Sequence, residues 1–122
     1  MQKKILIIDD SKTSLLLFES LFENSGYEVV SEIDSKFAYE KVIEIKPDLI
    51  VLDIMMPDID GFQLLKTIKS NPYLIKIPVI VLSALHEIKT INKAIDHGAV
   101  AYIKKPINVD EVIKVINKHL NN

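Results

Sequence analysis

Four short runs of uninterrupted apolar residues punctuate the chain: Ile5–Ile8, Leu49–Leu52, Val79–Leu82 and, more weakly, Ala99–Ile103. Each lacks polar alternation, the pattern of parallel strands covered on both faces. Tyr27–Ile33 (YEVVSEI) is more mixed and predicts an edge strand. Between the runs, apolar positions recur with helical period. Leu17 and Leu21, with Phe18 and Phe22, form i, i+4 pairs in a helix from Ser11 to Asn24. Ala38, Val42 and Ile45 mark a second helix, which Pro47 closes. Phe62, Leu65 and Ile68 mark a third, with Asp60 and Gln63 spaced as a capping box. Ile88, Ile91 and Ile95 mark a fourth, with Gly98 just past its end. Val109, Val112, Ile113, Ile116 and Leu120 mark a fifth, with Asn108 at its N-cap and Glu111 at N3.

The order is β-α repeated five times. Right-handed crossovers then predict an α/β fold, a doubly wound parallel sheet with helices on both faces. Such a sheet binds ligands beyond the carboxyl ends of its strands, where strand order reverses. With 122 residues, 48% apolar and 26% charged, the chain has the size and composition of one globular domain. A net charge of −2 supplies no field for nucleic acid or anionic lipid. No cysteine is present, and the apolar run at Ile5–Ile8 is too short for a signal peptide or a membrane span. A cytoplasmic location is expected. The only glycines are Gly26, Gly61 and Gly98, too scattered for a dinucleotide fingerprint or a P-loop.

The residues at the predicted strand ends carry the chemistry. Asp9 and Asp10 end the first strand, Asp53 the third and Ser83 the fourth, and Lys105-Pro106 follows the fifth. Three adjacent carboxylates repel one another unless a cation is present. Mg²⁺ suits oxygen ligands and takes one or two carboxylates beside a phosphate oxygen. A carboxylate such as Asp53 can act as nucleophile and form an acyl phosphate. Lys105 supplies a point charge to a phosphoryl oxygen, and Ser83 a hydroxyl to another.

The segments ILIIDD (5–10), LIVLDIMMPDIDG (49–61), VIVLSA (79–84) and YIKKP (102–106) resemble the receiver domain of bacterial response regulators. They fall in that family's order over the whole chain, and the intervals from Asp53 to Ser83 and from Ser83 to Lys105 fit as well. The resemblance implies one receiver domain over residues 1–122, a (βα)5 flavodoxin-like fold with sheet order 2-1-3-4-5, and two-component phosphorelay signalling. It implies that Asp53 accepts a phosphoryl group from a phosphohistidine on a sensor histidine kinase or a histidine phosphotransfer protein. It implies that Asp10 chiefly holds Mg²⁺, that Asp9 acts mainly through a water, and that the carbonyl of Met55 completes the ligands. Ser83 and Tyr102 would form a switch pair that alters the face of the fourth helix, fifth strand and fifth helix. Lys105 would contact the phosphoryl group, and its bond to Pro106 would be cis. The chemistry implied is self-phosphorylation and self-dephosphorylation, not enzymatic turnover of a separate substrate.

Other readings of the same residues are weaker. An aspartyl phosphatase of the haloacid-dehalogenase kind needs a second acid two residues after its nucleophile, where this chain has Met55. A pseudo-receiver usually lacks the key Asp or Lys, and both are present. Asp9, Asp10 or Ser11 could simply cap the first helix. Asp58-x-Asp60-Gly61 fails as a calcium loop, because its first and twelfth positions are Met56 and Thr67. His86-Glu87 fails as a zinc motif because residue 90 is threonine, and His86, His97 and His119 read as solvated. Gly98-Ala99-Val100-Ala101 stands where dimerising family members often carry acids. An acid-bridged dimer is therefore not expected, while another phosphorylation-dependent homodimer stays open. Only Asn121 and Asn122 follow the last helical pattern, so no output domain lies within these residues; a stand-alone regulator and the front of a longer protein both stay open, and the output partner or domain stays unassigned.

Overall fold

The computed structural model describes residues 2–120; Asn121 and Asn122, expected to trail the last helix, lie outside them. The elements are β1 (Lys4–Ile8), α1 (Lys12–Asn24), β2 (Glu28–Glu32), a 3-10 turn (Ser35–Phe37), α2 (Ala38–Ile45), β3 (Leu49–Asp53), α3 (Gly61–Ser70), β4 (Val79–Ser83), α4 (Ile88–Asp96), β5 (Ala101–Lys104) and α5 (Val109–Leu120). All strand pairings are parallel, and the sheet order is β2-β1-β3-β4-β5. This is the flavodoxin-like arrangement expected from the sequence. The chain reverses its direction of travel across the sheet at β1 and β3, so a crevice opens beyond their carboxyl ends.

The continuous apolar strands follow from burial on both faces. Ile5, Ile7, Leu49, Val51, Ile80, Leu82 and Ile103 pack against Phe18 and Phe22 of α1 and Val112 and Ile116 of α5. Leu6, Ile8, Ile50, Leu52, Val79 and Val81 pack on the other face against Val42 of α2, Leu65 and Ile68 of α3 and Ala94 of α4. Each of these large side chains, once fully buried, contributes roughly 1.5–3 kcal/mol before its ordering cost. Phe18 and Phe22 stack with ring centroids 5.6 Å apart. Of the two i, i+4 pairs in α1, this is the one in the core, whereas Leu17 is exposed.

Local chemistry sets the boundaries. Ser11 caps α1 by accepting from the Ser14 N–H, and Asn108 caps α5 by accepting from Glu111 N–H. Gly26 and Gly98 adopt φ of +93° and +109°. Each ends its helix in a Schellman motif: Gly26 and Tyr27 N–H groups return to Glu23 and Phe22 carbonyls, and Gly98 and Ala99 to Ile95 and Ala94. Because the Ala99 N–H is spent in that motif, β5 starts at Ala101 rather than at Ala99. The long connection before β4 is tied by Lys69, whose Nζ donates to the Ile75 carbonyl at 3.0 Å and also to that of Ile77.

The capping box expected at α3 needs correction, and α4, expected from Ile88, Ile91 and Ile95, forms over Ile88–Asp96 but buries another face. The capping box at α3 does not form: Asp60 accepts from Phe62 N–H, and the Gln63 amide turns to the Thr67 hydroxyl. In α4 the stripe Ile88, Ile91, Ile95 does not face the sheet. The helix is rolled so that small Ala94 lies buried, with Thr90, Ile91 and His97 half-buried beside it, and Ile88 is 75% exposed. His97 is accordingly not simply solvated, since its ring packs 5.9 Å from that of Phe62.

Candidate functional site

β3 and β4 each run one residue beyond their apolar stretch, so Asp53 and Ser83 are still strand residues. The ladder pairs Ile8 with Leu52, Asp53 with Leu82, and Ser83 with Lys104. This register brings Asp9, Asp53, Ser83 and Lys105 to one edge of the sheet. Side chains alternate across a strand, which sorts them between its faces. Asp53 continues the Leu49–Val51 face toward α1 and α5, whereas Ser83 continues the Val79–Val81 face toward α4.

Asp9 and Asp53 are buried carboxylates, 0% and 6% exposed, and among the described residues Lys105 is the cation that ion-pairs with both. Lys105 Nζ donates to Asp53 Oδ2 at 3.1 Å and to Asp9 Oδ2 at 3.2 Å. Asp53 Oδ1 accepts from the Met55 N–H at 2.9 Å, and Asp9 Oδ1 from the Ser11 N–H at 2.9 Å. Ser11 supplies the α1 cap itself, so the two acids before it are not needed for that purpose. Asp10 is exposed, and Asp9, Asp10 and Asp53 place one carboxylate oxygen each within 4.8 Å of one another. Three hard oxygen donors at this spacing, with an exposed member open to solvent, fit a hydrated divalent cation such as Mg²⁺.

Burial raises the Asp53 pKa, opposed by the Met55 N–H and Lys105 and assisted by the charge of Asp9. Burial works against the charge on Lys105, but Asp53 and Asp9 outweigh it and the ammonium pKa ends raised. With its folded pKa above the unfolded value, Asp53 favours folding only while protonated, and ionisation costs stability as pH rises through that interval. Asp53→Asn should therefore stabilise the metal-free protein at neutral pH, because it removes a buried charge whose ionised form burial disfavours. Thermal unfolding in EDTA should show the gap closing as pH falls and Asp53 takes up its proton; a gap that widens toward acid would contradict this.

Ser83 is fully buried, and its Oγ accepts from the Leu85 N–H at 3.0 Å. Tyr102 pairs with Val81 and so shares the α4-facing side with Ser83. Its hydroxyl donates to the Leu85 carbonyl at 2.7 Å, so the two expected switch residues already hold the same loop residue. The Lys105–Pro106 bond is cis. Met55 follows β3 in a loop that closes on itself through a Met55–Asp60 bridge.

Two contributors were not picked out by the sequence reading. Gly61 sits so close to Ile54 that a Cβ would lie 2.5 Å from the Ile54 Cα. It lets the loop carrying Met55 fold down over Asp53. Its signals in the sequence were its place at the end of the LIVLDIMMPDIDG segment and its position directly after the Asp60 N-cap, where helix formers are preferred. His86 donates from Nε2 to the Lys105 carbonyl at 2.9 Å, a contact between distant segments that leaves no local pattern.

The family model described as the response regulator receiver domain matches residues 5–117. Chemotaxis protein CheY of Bacillus subtilis is 38% identical over 122 residues, covering 99% of this chain and 100% of that protein. Transcriptional regulatory protein CrdR of Helicobacter pylori is 36% identical over 121 residues; they cover 99% of this chain but only 56% of CrdR. Among solved structures, the signal receiver domain of a DNA-binding response regulator from Colwellia psychrerythraea superposes with a TM-score of 0.94 at 27% identity, covering 99% of this chain and 100% of that one. The chain belongs to the response regulator receiver domain family of two-component signalling systems.

Proposed function

We propose that this receiver domain, spanning residues 1–122, accepts a phosphoryl group on Asp53 from a phosphohistidine of a histidine kinase or phosphotransfer protein. The observation that carries the reading is the buried Asp53 carboxylate held between a backbone N–H and Lys105, beside two further acids. A carboxylate oxygen of Asp53 attacks phosphorus, the P–N bond breaks, and the leaving imidazole takes a proton from solvent. Lys105 then turns from Asp53 and Asp9 to a phosphoryl oxygen, and Ser83 donates its hydroxyl proton to another. Asp9, Asp10, Asp53 and the Met55 carbonyl would hold Mg²⁺, which when bound neutralises charge gathering on the phosphoryl oxygens.

The output is a change in a protein-binding surface, not turnover of a separate substrate. Ile88 and Ile95 of α4, Val100 just before β5 and Val109 of α5 are exposed apolar residues. A shift of Ser83 toward the phosphoryl group frees the loop that Tyr102 holds and biases that face toward its partner or a second copy. No helix among the described residues is long and apolar enough to cross a membrane, and we place the domain in the cytoplasm.

Borohydride reduces an aspartyl phosphate to homoserine. Peptide mapping after acetyl phosphate treatment should find homoserine at position 53, and label at another carboxylate would overturn the assignment. Met55 and Leu85 lie two residues beyond Asp53 and Ser83 and can obstruct the water that hydrolyses the adduct. Met55→Ala and Leu85→Ala should each shorten the phosphoryl lifetime several-fold, followed by loss of adduct mass after donor removal. Longer lifetimes in the variants would count against a shielding role.

A further inference from the structure

The Lys105 backbone is gripped from both sides, by the last residue of β4 and by the loop that follows it. Its N–H donates to the Ser83 carbonyl at 2.8 Å, and its C=O accepts from His86 Nε2 at 2.9 Å. Its side chain meanwhile reaches Asp53 and Asp9. His86 stands immediately before Glu87, the N-cap of α4, which makes no side-chain capping hydrogen bond. α4 buries only Ala94 fully, with Thr90, Ile91 and His97 half-buried beside it. The imidazole thus spans from the backbone of the site lysine to the start of a helix with a single fully buried residue.

We infer that His86 is a positioning residue that couples Lys105 to α4. When Lys105 is redirected toward a phosphoryl group, the pull on its carbonyl passes through one hydrogen bond to residues 86–88. The Tyr102–Leu85 contact offers a second connection to the same loop, so loss of His86 should weaken the coupling rather than remove the site. This inference rests on the phosphoacceptor reading above, but one of its consequences is visible without phosphorylation.

The test is hydrogen exchange at the amides of residues 90–93 in the wild type, His86→Ala and His86→Gln, with adduct mass read on the same samples. Glutamine can place an amide N–H near the imidazole Nε2 position, so it should restore what alanine loses. Without donor, these amides should exchange at least threefold faster in His86→Ala than in the other two proteins. With acetyl phosphate and Mg²⁺, all three should carry the adduct, and the exchange response of α4 should fall to less than about a third of the wild-type response in His86→Ala only. Equal exchange in all three proteins without donor, or an undiminished response in His86→Ala, would overturn the coupling. So would failure of glutamine to rescue. Absence of the adduct from the folded wild type, with acetyl phosphate and with a histidine-phosphorylated donor alike, would instead overturn the phosphoacceptor reading, and it shows in the mass channel alone.

Discussion

Lys105→Met should slow phosphoryl uptake from acetyl phosphate by roughly 10²–10³-fold, the usual cost of removing one preorganised charge stabiliser. The same change should destabilise the metal-free protein by about 3 kcal/mol, because it leaves Asp9 and Asp53 buried without their shared cation. The Lys105 side chain is 24% exposed, which holds the estimate to the low end for a broken buried pair. The two effects part when Mg²⁺ is added. A divalent cation can replace the lost charge in the ground state, so stability should recover, but it does not replace the donor to the phosphoryl group, so uptake should stay slow. The pH dependence has a definite sign. The folded-state pKa of Lys105 is raised, so its stabilisation is fully present below its unfolded value and is lost as pH rises through the folded value. The penalty of the variant should also shrink at acid pH, as Asp53 protonates. Denaturant titration with and without Mg²⁺, beside uptake rates by mass, separates these terms. Unchanged stability in EDTA would show that the acids do not depend on Lys105.

Gly61→Ala should cost about 3 kcal/mol, the upper end for overpacking, although helix propensity alone favours alanine by up to about 1 kcal/mol. The clash wins because the new Cβ meets Ile54 Cα at 2.5 Å and Ile54 O at 2.8 Å, backbone atoms that cannot rotate away. Relief requires lifting the loop between β3 and α3. That loop carries the Met55 N–H bound to Asp53 Oδ1, so uptake should slow as well, even where the variant stays folded. A folded Gly61→Ala protein with wild-type stability would show that the loop yields more easily than these distances imply.

Much of this arrangement was legible because the interior strands are buried on both faces. Residues such as Ile5–Ile8 and Leu49–Leu52 could be read without alternation, and the polar residues ending those runs had to lie at the rim of the sheet. Five parallel strands then brought Asp9, Asp53, Ser83 and Lys105 together through register, which strand order and run length largely determine. What escaped depends on contacts between side chains distant in sequence. The rotation of α4 is set by the small volume of Ala94 against the sheet, not by its most hydrophobic stripe, so Ile88 faces water. The hydrogen bonds of His86 to Lys105 and of Tyr102 to Leu85 join segments distant in sequence and have no periodic signature. Gly61 matters through the side chain it lacks, which only the position of Ile54 reveals.

The most direct test of the central claim is intact mass after incubation with acetyl phosphate, with and without Mg²⁺, beside Asp53→Ala. The absence of tryptophan removes the usual indole fluorescence signal, and mass needs none. A single phosphoryl adduct that requires both Mg²⁺ and Asp53 is expected. An adduct that persists in Asp53→Ala or forms equally in EDTA, or a folded wild type that takes up none even from a histidine-phosphorylated donor, would contradict it.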